Sequence, residues 1–425
     1  MADAWITLAV FVLCYVLFVA LPARRALVAC AGGAVLVLAG ALDWHDALLV
    51  KINWNVMGLF FGTLILAELF TLSRVPAVIA EWLVDRAPSA RVAMLFLCAL
   101  SGFISMFVEN VAVVLLVAPV ALSLSTKLKI NPVPLLVGIA VSSNLQGTAT
   151  MIGDPPSMIL AGYMRMGFWD FFLYEGRPGI FFSVQVGALA SLAVLGFLFR
   201  RSAQRIAVVP QEAARSWVPA VLLVLLVAGL SFSTAFDPEF KWYAGVLTMA
   251  LGAGAFAWFR LVARWGSSRA FLRGLDWDTT FFLMGVFVVV GALSESGWLD
   301  TLASGIAGSV GGNEFLAFAA VVLLSVIVSG FVDNVPFLLV MIPVVEKVAT
   351  LMGAPVPLLM FGLLIGACLG GNLTPIGASA NVVTLGILKK QGYTVTFREF
   401  MAVGVPFTVA AVLSAGVFTW IVWAR

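Results

Sequence analysis

The apolar residues of this chain fall into long runs separated by short polar loops, a pattern typical of helices that cross a bilayer. A crossing helix needs about 20 consecutive, predominantly apolar residues. Runs of about this length or longer lie near residues 4–21, 26–43, 52–72, 133–165 and 179–199, and near 216–234, 241–260, 277–296, 355–388 and 401–424. The pattern therefore predicts an all-α polytopic membrane protein.

Two further apolar segments, 92–125 and 317–349, are too long for a single crossing. Each is interrupted by an acidic residue followed by asparagine. The interruption is Glu109-Asn110 in the first segment and Asp333-Asn334 in the second. We interpret both segments as re-entrant hairpins, which return to the side of the membrane from which they enter.

Two of the predicted spans are broken by polar residues, glycines and prolines. Residues 144–160 read NLQGTATMIGDPPSMIL, and residues 370–383 read GGNLTPIGASANVV. Proline cannot donate a backbone hydrogen bond, and glycine adopts backbone geometries closed to other residues. Such breaks are tolerated in a membrane only where protein or a water-filled cavity surrounds them. The pattern predicts discontinuous helices near the midplane.

The second half of the chain repeats the first. The stretch GFISMFVENVAVVLLVAPV, ending at Val120, matches IVSGFVDNVPFLLVMIPV, ending at Val344, at an offset of 224 residues. The same offset aligns the two broken spans. Each half would contain five spans and one hairpin, so the second half begins on the opposite face and the repeats are inverted. We predict a first repeat over 1–200, a cytoplasmic linker over 201–215, and a second, inverted repeat over 216–425.

Composition and charge support a membrane location. The chain is 62% hydrophobic and 11% charged, whereas about a quarter of the residues in soluble domains are charged. The net charge of +3 is small for the length and gives nucleic-acid binding no support. With the N-terminus outside, the inner loops hold most of the 24 Lys and Arg residues, in agreement with the positive-inside rule. We expect a multi-pass protein of a bacterial-type cytoplasmic (inner) membrane, with both N- and C-termini outside.

The two breaks and the two hairpin tips form the candidate substrate site, because many secondary transporters build their sites from inverted repeats with discontinuous helices. The candidate substrate-binding residues are the polar and glycine residues at these four places: Asn110, Asn144, Gly147, Thr148, Thr150, Gly153, Asn334, Gly371, Asn372, Thr374, Gly377, Ser379 and Asn381. We expect no catalytic residues, no resident metal and no organic cofactor.

Three carboxylates lie at the same interruptions: Glu109, Asp154 and Asp333. A charged group inside the membrane costs at least about 2.5 kcal/mol on insertion scales, so each is a candidate functional residue. No lysine or arginine lies in the same stretches. We therefore expect an acidic site without a basic partner, in which these carboxylates carry the coupling ion, H⁺ or Na⁺.

These motifs resemble those of the ArsB/NhaD permease group of the ion transporter superfamily, which also includes the pigmentation-related P protein. GTATMIGDPPSMIL resembles the group's G-T-A-T-x-I-G-D-P-P-N signature, with Ser157 in place of the last asparagine. GACLGGNLTPIGASANVV resembles its second-half partner, and FVENVAVVLL and FVDNVPFLLV resemble its hairpin tips. The resemblance implies a scaffold region, a mobile transport region and, in relatives, often a homodimer.

The resemblance leaves three functions open. The first is a secondary active transporter of ArsB type that exports arsenite or antimonite in exchange for protons. The second is Na⁺/H⁺ antiport of NhaD type. The third is Na⁺-coupled transport of a carboxylate or other anion, against which the absence of basic residues at the breaks weighs. Besides a small inorganic ion and the lipid bilayer, the candidate partners are a second copy of the chain and a separate ATPase subunit.

Overall fold

A computed structural model describes residues 2–202, 204 and 213–424. The helices of the first half are α1 Ala2–Ala20, α2 Arg25–Leu38, α3 Trp54–Leu72, α4 Val75–Asp85, α5 Ala90–Ser105, α6 Asn110–Leu128, α7 Val133–Gln146, α8 Pro155–Met164 and α9 Ile180–Leu198. Those of the second half are α10 Val218–Leu230, α11 Ser233–Phe236, α12 Tyr243–Trp258, α13 Ser268–Gly274, α14 Trp277–Glu295, α15 Trp298–Ser309, α16 Glu314–Ser329, α17 Asn334–Met352, α18 Val356–Gly370, α19 Ser379–Lys390 and α20 Phe397–Trp423.

The all-α membrane class is confirmed. Nine of the described helices are long and apolar enough to cross a membrane. Within the described ranges the strands amount to one small antiparallel pair, β1 Leu173–Tyr174 and β2 Arg177–Pro178. The predicted breaks are present as well, since residues 147–154 separate α7 from α8 and residues 371–378 separate α18 from α19.

The two halves pack on each other in reciprocal pairs. Helix α2 of the first half packs along α14 of the second, and the corresponding helix of the second half, α12, packs along α3 of the first. Within the halves, α5 packs against α7 in the same way as α16 packs against α18. Reciprocal pairing of this kind is what a two-fold relation between repeats requires. The inverted orientation of the halves in the membrane and the bounds of the two repeats stay predictions. The linker predicted over 201–215 lies mostly outside the described residues.

Each predicted hairpin is a pair of helices, α5 with α6 and α16 with α17, and an acidic residue begins the second helix of each pair. The Glu109 carboxylate accepts hydrogen bonds from the amides of Val111 and Ala112 at 3.1 and 3.2 Å. The Asp333 carboxylate accepts one from the amide of Val335 at 3.0 Å. Both residues are therefore helix N-caps, which satisfy backbone donors that the first helical turn leaves unpaired.

Two short helices, α4 and α15, lie outside the predicted spans and hairpins. They contain 11 and 12 residues, fewer than a membrane crossing requires. Each buries one face only: Ala80 and Val84 are buried in α4, and Leu299 and Ala303 in α15. Their apolar residues recur at helical spacing, a signal that a search for continuous apolar runs does not detect.

Gly285 lies at the crossing of α14 with α2, where an added side chain has no room. An ideal Cβ at Gly285 would lie 2.5 Å from the Ala29 carbonyl carbon and 2.6 Å from the Cys30 nitrogen. Overpacking typically costs about 1–3 kcal/mol, and backbone atoms cannot rotate aside. We expect Gly285→Val to lower the midpoint of heat-induced loss of the monodisperse peak in size-exclusion chromatography by several degrees.

Gly254 in α12 provides the matched control, because an ideal Cβ there meets no atom within 4 Å. Gly254→Val should therefore unfold at nearly the wild-type temperature. Equal heat resistance of the two variants would contradict the close crossing of α2 and α14.

Candidate functional site

Each break is bound to the tip of its own hairpin by a threonine. The Thr150 hydroxyl donates a hydrogen bond to the Met106 carbonyl, and the Thr374 hydroxyl donates one to the Gly330 carbonyl. The two bonds are equivalent under the 224-residue offset. Both threonines are buried, and their hydroxyl groups are bonded to backbone carbonyls. These threonines therefore hold each break against its hairpin tip and are not free to bind a substrate.

The glycines of the breaks permit close approach of backbone segments. An ideal Cβ at Gly153 would lie 2.4 Å from the Gly147 carbonyl oxygen, and one at Gly377 would lie 2.6 Å from the Gly371 carbonyl oxygen. None of the four has a positive φ angle. The expectation that these glycines supply unusual backbone geometry is therefore wrong; they are required because no side chain fits.

Asn144 joins the two halves at the centre of the molecule. Its Nδ2 donates hydrogen bonds to the Oδ1 atoms of Asn372 and Asn381, at 2.8 and 3.2 Å. The amide of Asn372 donates in turn to the Val141 carbonyl at 3.1 Å, and that of Asn381 to the Gly371 carbonyl at 2.9 Å. All three asparagines are buried. One amide network thus holds both breaks together.

Ser157 occupies in the first half the position that Asn381 occupies in the second. Its hydroxyl lies 3.5 Å from the Gly147 carbonyl oxygen and 3.4 Å from the Thr148 carbonyl oxygen. A serine hydroxyl is too short to reach the opposite half as the Asn381 amide does. The departure from the resembled signature at Ser157 therefore leaves the side-chain hydrogen bonds that join the two breaks to Asn144, Asn372 and Asn381.

A cavity of about 40 Å³ lies between the hairpin tips and the breaks. At about 10–15 Å³ for each water, this volume holds a few water molecules. The N-terminal ends of α6, α8, α17 and α19 all reach it. Its lining residues are Arg25, Glu109, Asn110, Asn144, Asp154, Pro155, Asp276, Thr279, Phe282, Asp333, Asn334, Val335, Ala378, Ser379 and Ala380.

The candidate residues divide between the cavity wall and the layer behind it. Those that line the cavity are Glu109, Asn110, Asn144, Asp154, Asp333, Asn334 and Ser379. Those that do not line it are Gly147, Thr148, Thr150, Gly153, Gly371, Asn372, Thr374, Gly377 and Asn381. Candidate residues from both halves therefore meet at the cavity. The candidates that do not line the cavity support the backbone behind its wall.

A basic residue that the sequence analysis missed lies in the cavity wall. Arg25, the first residue of α2, places Nη1 2.6 Å from Oδ2 of Asp333 and Nε 3.0 Å from Oδ2 of Asp278. Its Nη2 donates to the Thr279 hydroxyl at 2.9 Å, and its guanidinium lies 5.0 Å from the centroid of the Phe282 ring. The expectation of an acidic site without a basic partner is wrong.

The error has a physical cause. Arg25 is far from both breaks along the chain, and only the packing of α2 on α14 brings it to the hairpin tip. The sequence does carry one signal, the pair of acidic residues Asp276 and Asp278 at the start of a predicted span. An acidic residue in a predicted span is a functional candidate whose partner should be sought, and Arg25 is the partner of Asp278.

Two interrupted helices, one from each half, meet at one polar cavity in this chain. Secondary transporters are built in this way, and the chain is therefore a membrane transporter. The family model described as "Citrate transporter" matches residues 15–304 and 242–425. The chain belongs to this citrate transporter family.

Relatives with full-length similarity are bacterial membrane proteins. An uncharacterized transporter of Mycobacterium tuberculosis is 31% identical over 436 residues, with 98% of each chain covered. The 46 kDa membrane protein of Mycobacterium leprae is 30% identical, again with 98% of each chain covered. The P protein of Sus scrofa is 27% identical over 96% of this chain and 58% of its own length. The predicted relation to the P protein is thus confirmed, whereas membership of the ArsB/NhaD group stays a prediction.

Two solved transporters have a similar fold. The YdaH transporter of Alcanivorax borkumensis superposes with a TM-score of 0.62 at 15% identity, covering 99% of this chain and 97% of that chain. MtrF of Neisseria gonorrhoeae superposes with a TM-score of 0.55 at 11% identity, covering 93% of this chain and 85% of that chain. Identities this low show the fold alone. The orientation in the membrane, the coupling ion, a second copy of the chain and a separate ATPase subunit stay predictions.

Proposed function

We propose that this transporter carries a small di- or tricarboxylate across the membrane together with protons or other cations. The observation that carries the proposal is Arg25, whose guanidinium lies in the wall of the cavity. A guanidinium binds carboxylates through two parallel hydrogen bonds and is more weakly hydrated than an ammonium group. The membership of the chain in the citrate transporter family supports the same substrate class.

The second half of the site adds further groups suited to an anion. Helix α17 is already capped by the Asp333 carboxylate, whereas α19 begins at the cavity with Ser379 and has no side-chain cap, so its first amides have no acceptor within the helix. Such helix ends favour anions. Helix α8 differs, because it begins with Pro155 and Pro156, which have no amide hydrogen to donate. The anion-binding groups therefore belong mainly to the second half.

The acidic side chains of the cavity require that cations accompany the anion. Glu109, Asp154, Asp276 and Asp333 line the cavity with Arg25 as the single basic residue. An unbalanced charge in a low-dielectric site costs several kcal/mol. We assign to Glu109 and Asp154, on the first-half side of the cavity, the binding of the coupling ion, H⁺ or Na⁺.

Export of arsenite or antimonite in exchange for protons is the second candidate. The neutral amides in the cavity wall, those of Asn110, Asn144 and Asn334, favour it, because arsenite near neutral pH is mostly an uncharged trihydroxide that amide and hydroxyl groups can bind. Neither that substrate nor Na⁺/H⁺ antiport gives a role to Arg25. A guanidinium in the cavity wall therefore favours the carboxylate.

Transport by proteoliposomes tests the proposal. We expect a pH gradient or a cation gradient to drive uptake of radiolabelled citrate or succinate, and Arg25→Gln to reduce the initial rate about 100-fold, because the partly buried guanidinium can no longer form a charge-assisted pair with the substrate. The neighbouring Arg24 is exposed and does not line the cavity, so Arg24→Gln is the matched control and should stay within about twofold of the wild type.

The same vesicles distinguish the candidates. Gradient-driven movement of arsenite that Arg25→Gln leaves unchanged would support the second candidate against the first. Exchange of Na⁺ for H⁺ without movement of a carboxylate or of arsenite would exclude both.

A further inference from the structure

The guanidinium of Arg25 is fully engaged in this structure, and one of its partners belongs to a hairpin tip. Nη1 contacts Asp333 and Nη2 contacts Thr279, both in the cavity wall, whereas Nε contacts Asp278, which does not line the cavity. A substrate carboxylate in the cavity would need the edge of the guanidinium formed by Nη1 and Nη2. The Asp333 carboxylate already holds part of that edge.

We propose that Asp333 is a built-in competitor of the substrate. In this structure its carboxylate takes the place on Arg25 that a substrate carboxylate takes when bound, so binding of the anion displaces the tip of the second hairpin from α2. The inference rests on the proposed function and describes how the same site is regulated.

The two oxygens of Asp333 have separate partners, which allows the exchange. Oδ1 accepts the hydrogen bond from the Val335 amide that caps α17, at 3.0 Å, while Oδ2 contacts Arg25 at 2.6 Å. Oδ2 can leave the guanidinium without uncapping the helix. The substrate therefore has to outcompete one charge-assisted hydrogen bond and does not have to unfold a turn.

Arg25 keeps its position when Asp333 leaves. Asp278 and Thr279 belong to α14, which packs along α2, and they contact the guanidinium at 3.0 and 2.9 Å. Phe282, one turn further along α14, lies against the guanidinium at 5.0 Å. The pair α2 and α14 thus presents a fixed cation, and the hairpin tip is the part that moves.

Equilibrium binding of radiolabelled citrate to the full chain in lipid nanodiscs, at one pH and one salt concentration, tests the competition. Asn is as good an N-cap as Asp, so Asp333→Asn keeps the cap and removes the charged competitor. We expect the dissociation constant to fall about tenfold, the change that corresponds to one charge-assisted hydrogen bond. Asp333→Ser, which also retains a capping side chain, is the second variant should the first not fold.

Asp278→Asn is the matched control. It removes an equal charge from the same guanidinium, but on the side away from the cavity. If Asp333 competes directly, Asp278→Asn should tighten binding clearly less than Asp333→Asn does. Equal tightening by both variants would identify a general effect of charge and would overturn the competition.

The outcomes separate this inference from the proposed function. Wild-type protein that binds citrate, with Asp333→Asn and Asp333→Ser no tighter, contradicts the competition and leaves carboxylate transport standing. Wild-type protein that binds neither citrate nor succinate, with Asp333→Asn equally inactive, overturns both.

Discussion

Replacing Gly377 with alanine is expected to abolish transport while the protein still reaches the membrane. An ideal Cβ at this position would lie 2.6 Å from the Gly371 carbonyl oxygen and 2.9 Å from that of Gly330. Both are backbone atoms, so the break itself must open to admit a methyl group. The N-terminus of α19 at Ser379 would then shift in the cavity wall. In enzymes, misplacement of reacting groups by about 1 Å costs on the order of 100-fold in rate, and we expect a loss of this size in the initial rate of uptake.

Gly386 lies in α19, the helix that follows this break, and provides the control. An ideal Cβ there meets no atom within 4 Å, and alanine is favoured over glycine inside a helix by roughly 0.5–1 kcal/mol. Gly386→Ala should therefore transport at the wild-type rate. Gly153 is the equivalent of Gly377 in the first half, where a Cβ would lie 2.6 Å from the Ser105 carbonyl oxygen, and Gly153→Ala should reproduce the loss. Wild-type rates in both variants would refute the close packing of the breaks.

The features that the sequence predicted are those that local chemistry fixes inside a membrane. Glu109 and Asp333 stand where a hairpin must begin its second helix, and a carboxylate at that place satisfies the free amides. Pro155 and Pro156 begin α8, where a helix tolerates residues without a backbone donor, and they cannot continue a helix from the residues before them. Hydrocarbon offers no water to repair such interruptions. Breaks and tips can therefore be located from a single sequence.

The features that the sequence did not predict depend on how distant segments pack. Arg25 can be placed in the site only once α2 is known to pack along α14. Before that, it is one of many basic residues near the end of a span. The candidate residues also include supports that do not reach the cavity. Thr150 and Thr374 have their hydroxyls on backbone carbonyls, so a polar residue in a motif is not thereby a ligand.

Asn144 is the residue whose loss should remove the hydrogen bonds that join the two breaks. Asn144→Ala removes the donor of two hydrogen bonds, at 2.8 and 3.2 Å, and leaves the Oδ1 atoms of Asn372 and Asn381 buried without it. An unsatisfied buried group costs about 1–3 kcal/mol. We expect a fall of several degrees in the heat-unfolding midpoint and loss of measurable uptake. Both effects share one cause, since the amide network positions both breaks beside the cavity.

Ser143, the preceding residue on α7, is the matched control because its bonds stay within the first half. Its hydroxyl lies 3.0 Å from that of Ser105 and 3.3 Å from the Asn110 carbonyl oxygen. A double-mutant cycle measures the distinction: Asn144→Ala and Asn372→Ala should be non-additive by about 0.5–3 kcal/mol, as residues in one network are, whereas Ser143→Ala and Asn372→Ala should add. If the effects of Asn144 and Asn372 add as well, their amides do not hold the breaks together, and the cavity must be positioned by helix packing alone.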